Sequence, residues 1–123
     1  MSDKFPIQLN TKILTVMGKP FRIRDDEESK EWREGTVRHY LLELLGSNIE
    51  VKGAYGVHAI RRIGLMALEE ERETLELPTK QVELLRKLII ENSFVMNGQK
   101  LRLFTPWVQG QLMEAVGAGE DDQ

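Results

Sequence analysis

The chain has 123 residues, 41% of them hydrophobic and 30% charged, with no cysteine and a net charge of −3. That length suits one domain with a modest core, expected over residues 1–117. The missing thiols exclude disulfides, thiolate metal sites and cysteine nucleophiles, which fits a reducing, cytoplasmic setting. The opening MSDKFPIQLNTK lacks an apolar signal-peptide segment, and the apolar clusters LMAL and LII are too short to span a bilayer.

Residues 1–6 are expected as a loose start. From Ile13, ILTVMGKPFRIR alternates about Gly18-Lys19 and predicts a β-hairpin with strands near 12–17 and 20–24. Pro20 has no amide hydrogen and belongs at the start or edge of the returning strand. DDEESKEWRE, residues 25–34, holds six acids and two bases and reads as a solvated loop, with or without a helical turn around Trp32. Thr36 is the expected N-cap of a helix ending at Gly46, with Val37, Tyr40, Leu41, Leu44 and Leu45 on one face.

The glycine-rich stretch 46–56 reads as a connector. A second helix is expected from Val57 to Glu73, facing inward with Val57, Ile60, Ile63 or Gly64, Ala67 and Leu68. Its acidic C-terminal end opposes the helix dipole. LELPT reads as another connector, and Thr79 as N-cap of a central helix that buries Val82, Leu85, Leu88 and Ile89. Leu84 and Ile90 widen that stripe, and Asn92-Ser93 stops it. FVM-NG-QKLRLF is a strong hairpin signal, because Asn97 and Gly98 both tolerate positive φ. Thr105-Pro106 then starts a last helix, with Trp107 expected in the core and Gly117 at its end. Residues 118–123, AGEDDQ, carry three acids and read as a disordered acidic tail.

The elements add up to an α+β fold of four short helices with a hairpin near each end. The two hairpins either pair as one small antiparallel sheet or dock separately.

Catalytic chemistry finds few candidates. His39 and His58 are the only histidines and have no metal-site spacing. Phosphate-loop and calcium-loop patterns are missing, and Ser29, Ser47 and Ser93 have no nucleophile-elbow frame. The expectation is a non-enzyme without a cofactor. Nucleic-acid binding has one candidate region, where Lys52, Tyr55, His58, Arg61 and Arg62 gather near a helix start. The bland reading pairs both arginines with carboxylates one turn on. Protein binding has more candidates. Trp32 sits among Asp25, Asp26, Glu27 and Glu28, and the second hairpin offers Asn97, Lys100 and Arg102 with open strand edges.

RRIGLMALEEERETLELPTKQVELLRKLIIE, followed after an insertion by FTPWVQGQLMEAV, carries Arg61-Arg62, Thr79, Lys87-Leu88-Ile89, Pro106 and Gly110-Gln111. This pattern resembles a group of small phage-encoded proteins, and ILTVMGKPFR is similar to their opening hairpin. The chain departs from the group at 94–103, where the Asn-Gly hairpin is extra. The resemblance implies a viral or prophage origin. The expected role is therefore contact with a host or phage protein, as an inhibitor or regulator or as an assembly or virion component, in the host cytoplasm or the virion. The alternative is a nucleic-acid-binding regulator acting through 52–62.

Overall fold

The computed structural model describes residues 4–24, 28, 30–47, 51 and 53–117. Asp25, Asp26, Glu27, Lys52 and the expected tail at 118–123 lie outside the described residues. The fold is α+β. In chain order it has β1 (Lys4–Gln8), β2 (Arg22–Ile23), β3 (Arg33–Glu34), α1 (Val37–Gly46), α2 (Gly53–Ala67), β4 (Thr74–Pro78), α3 (Thr79–Glu91), β5 (Ser93–Met96), β6 (Gln99–Arg102) and α4 (Pro106–Ala115). Among the described residues the strands form three separate two-stranded antiparallel sheets, β1–β4, β2–β3 and β5–β6. The two expected hairpins therefore share no sheet.

β1–β4 corrects two expectations at once, since neither residues 4–6 nor LELPT is a loop. Phe5, Ile7 and Leu9 alternate inward with period two, and Phe5 lies opposite Leu77 and Ile7 opposite Leu75. Ile7, Leu9, Leu75 and Leu77 are fully buried. Each such side chain contributes about 1.5–3 kcal/mol by leaving water, which offsets the weakness of a two-stranded ribbon. Pro6 faces Glu76, and a two-stranded sheet has only edges, where a missing amide hydrogen is tolerated.

The first hairpin turns earlier, and through a longer loop, than the expected strands at 12–17 and 20–24 implied. Thr15 N–H donates to the Lys19 carbonyl at 2.7 Å and Gly18 N–H to that of Thr15 at 2.9 Å. With Gly18 at φ +81° this is a three-residue loop closed by a left-handed glycine. A single bridge, Leu14 to Pro20, joins its arms, and Lys12 bridges outward to Thr36 at the start of α1. The regular pairing of the returning arm is with β3, so the end of the acidic loop near Trp32 is extended rather than helical.

α1 forms as expected. The Thr36 hydroxyl accepts from His39 N–H, and Val37, Tyr40, Leu41 and Leu44 are buried. α3 buries Val82, Leu85, Leu88 and Ile89. Thr79 is its first residue rather than its cap, since Pro78 takes that place with no side-chain bond. Ile90 is exposed. One cluster of buried side chains draws on β1, the first hairpin, α1, α2, β4, α3 and α4.

Side chains that reach backbone atoms join these parts. The Arg38 guanidinium donates to the carbonyls of Glu70 and Arg72 beyond the end of α2. The Gln111 amide accepts from Leu14 N–H at 2.7 Å and donates to the Leu14 carbonyl at 2.8 Å. Trp107 donates its indole N–H to the same carbonyl at 2.7 Å. Trp107 is 48% exposed, which corrects its expected core place. That indole bond fixes the ring at the surface, across α4 from buried Val108 and Leu112.

Asn92 is the buried polar residue at the joint of α3, β5 and α4. It has φ 24°, a left-handed conformation that asparagine tolerates. Its side chain donates to the Ile89 carbonyl at 3.1 Å and accepts from Phe104 N–H at 3.0 Å. Asn92→Ala should therefore destabilise the fold by about 2–4 kcal/mol, leaving a buried donor unpaired at a strained φ. Urea denaturation of the two chains measures this.

Tyr40 packs edge-on to Phe104 at 5.7 Å. Burial, and secondarily the Glu43 carboxylate, raises its phenol above the ordinary 10.0. The folded chain holds this proton more tightly than the unfolded one. Its contribution to stability is therefore intact below about pH 10 and is lost as pH rises through the raised value. Tyr40→Phe should flatten that alkaline loss in denaturation curves taken at increasing pH.

Candidate functional site

The site follows from how α2 is buried. Gly56, Ala59, Ile63 and Ala67 face the core, and three of these four are small. At Gly56 a Cβ would lie 2.6 Å from Val51 Cγ1, so only glycine permits that approach. The covered side of α2 is thus the small-residue side. Val57, Ile60, Gly64, Leu65 and Leu68 form a second stripe at i, i+3, i+7, i+8 and i+11. Val57 is 59%, Leu65 52% and Leu68 61% exposed. The expected inward face is corrected accordingly, because Val57 and Leu68 belong to this open stripe. The helix also starts earlier and ends earlier than the expected 57–73.

α1 supplies the other wall. Arg38, at the start of α1, bonds carbonyls beyond the end of α2, while Gly46, at the end of α1, shares a lining with Val57. The two helices therefore run antiparallel. Between them lies an open groove of about 540 Å³, walled by Leu42, Leu45, Val57, Ile60, Leu65 and Leu68. Gly64 lies along it, and a methyl there would approach only Leu45 Cδ1, at 4.0 Å.

Among the described residues that line the groove, Arg61 is the charged one. Glu69, Glu70 and Glu71 follow the far end of α2 and are exposed. Glu69 is paired with Arg72 at 2.7 Å, a surface contact of small energy. The groove therefore changes charge along its length, from the N-terminus of α2 and Arg61 near its middle to a surplus of carboxylates past Leu68, where Arg72 offsets Glu69.

The candidates for nucleic-acid contact are split. Arg61 flanks the groove, whereas His58 and Arg62, one turn apart, are exposed on the flank beyond it. Among the described residues neither arginine pairs with a carboxylate. Lys80 places its ammonium 4.9 Å from the Tyr55 ring centre, near the start of α2.

The candidates for protein contact are all at the surface where described. Trp32 is half exposed, with the Arg24 guanidinium 4.9 Å over its ring, and Glu28 is exposed in a turn. Asn97, at φ 53°, forms the hairpin turn with Gly98 at φ 77°. Lys100 and Arg102 are exposed on one face of β6, beside a depression shared with Glu91 and Ser93. Among the described residues no bond or ring contact links Trp32 to this hairpin.

The His39 imidazole stands 3.9 Å from the Glu43 carboxylate. Among the described residues no three of His, Asp and Glu gather as a metal site, and no helix is long and apolar enough to cross a membrane. The groove residues were visible in the sequence as apolar positions. The signal for a second face was an apolar arc on α2 wider than one neighbour covers. No protein-family model, curated protein or solved structure matches the chain.

Proposed function

We propose that this chain acts by protein–protein contact and that the α1–α2 groove is its working surface. The observation that carries this reading is the second stripe of α2, where Val57, Leu65 and Leu68 line one groove and are each more than half exposed. Contiguous exposed apolar surface rimmed by charge is characteristic of binding faces. From Val57 to Leu68 the stripe spans about 16 Å, three helical turns, which suits a helical segment anchored at i, i+3, i+4 and i+7.

The resemblance to small phage-encoded proteins supports a role in phage biology, as an inhibitor or regulator or as an assembly or virion component. Trp32 with its acidic loop and the Asn97, Lys100 and Arg102 hairpin are secondary contact candidates. The nucleic-acid reading has weaker support, because among the described candidates Arg61 flanks an apolar groove, apart from His58 and Arg62 on the far flank.

A photo-crosslinking amino acid at Leu65, activated in cells that express the chain, should give discrete protein adducts. The same group at Glu76, on the outer face of β4, should give none, and Leu68→Lys should abolish the Leu65 adducts. Adducts of equal yield from both positions, or adducts that survive Leu68→Lys, would remove the groove as the docking surface.

A further inference from the structure

We infer that the occupant of the groove is a second copy of this chain, packed about a two-fold axis perpendicular to α2 so that the two α2 helices run antiparallel. The inference rests on the reading of the groove as a docking surface and names its partner.

Charge carries the choice. In each groove Arg61 lies near the middle of α2, one turn before Gly64 and Leu65, with the α2 N-terminus behind it; Glu69, Glu70 and Glu71 lie at the far end, where Arg72 pairs with Glu69. A two-fold axis across the helix lays the basic half of one copy along the acidic end of its partner, twice over. An axis parallel to the helix would set basic half beside basic half. A foreign segment would have to carry the same polarity independently, whereas a second copy brings it by symmetry.

Shape agrees with charge. Gly64 presents no side chain in the open stripe and has space above it, so a partner helix can approach the backbone closely. Leu65, next to that position, and Leu68, one turn further on, can enter the crease between the partner's α1 and α2. The Arg61 stem covers apolar surface while its head group reaches the partner's acids.

The test is sedimentation of the full chain from micromolar to millimolar concentration, with circular dichroism to verify folding of each variant. A reversible dimer is expected. Leu65→Lys should weaken it at least about tenfold, as loss of a central apolar anchor does. Met17→Ser, at the exposed tip of the first hairpin, should leave it unchanged. Arg61→Glu should weaken self-association, and so should Glu70→Lys with Glu71→Lys. An equimolar mixture of those two variants should dimerise as well as the parent. A monomer at all concentrations overturns the inference, and so does a dimer sensitive to Met17→Ser but not to Leu65→Lys, or a mixture that stays monomeric. A monomer whose Leu65 crosslinks to another protein overturns the second copy alone and leaves the docking surface in place. A monomer without such adducts removes both.

Discussion

The antiparallel pairing of Lys4–Gln8 with Thr74–Pro78 closes the chain on itself between its first strand and the link from α2 to α3. Most other placements depend on that closure. It buries Ile7, Leu9, Leu75 and Leu77 together, and it fixes where α2 must end and α3 begin. Leu9 N–H donates to the Glu73 carbonyl at 2.9 Å, and Arg38 N–H to the Leu9 carbonyl at 3.0 Å. Strand, link and the first turn of α1 are thereby locked in one place. α1 and α2 lie side by side because their outer ends are both tied to this ribbon.

The remaining sheets are too small to stand alone, and the chain holds them with long side chains that bond to backbone atoms elsewhere. Gln111 and Trp107 tie the first hairpin to α4. Asn92 ties the end of α3 to the approach to α4. Gln109 donates to the carbonyls of Ile89 and Ile90, and Arg86 to that of Val116 at 3.0 Å. Such bonds are directional, so they set the geometry of the joints, while the aliphatic cluster supplies most of the free energy.

Features decided within a few residues were legible before any coordinates. The Asn97-Gly98 turn, the Thr105 cap with Pro106 behind it, and the buried stripes of α1 and α3 all stand where pattern and local chemistry placed them. Features decided by distant partners were not. Phe5, Ile7 and Leu9 alternate, but Pro6 interrupts them and their partner strand comes after two helices. LELPT is five residues between helical patterns and reads as a link. Trp107 carries the apolar bulk of a core residue, yet its position follows from a carbonyl on the first hairpin. On α2, hydrophobicity favours Val57 over Gly56 as the inward residue, whereas the tight approach to Val51 demands the reverse. The groove escapes the sequence for the same reason: Val57, Ile60 and Leu68 read as apolar, but which arc of the helix a neighbour covers is a property of the packed molecule.

The small residues on the core side of α2 bear on its local stability. Ile63 is the only large aliphatic side chain among its four buried positions, so covering this side yields less hydrophobic free energy than a helix of its length usually gains. Local opening free energies follow buried apolar contact, so α2 draws less protection from its core side than α1 or α3, whose buried positions all hold residues larger than glycine or alanine. An occupant of the groove would cover its larger side chains and suppress that opening, slowing amide exchange along the helix. Folding of α2 and occupation of the groove then form one coupled equilibrium, and the helix is most ordered when its second face is covered.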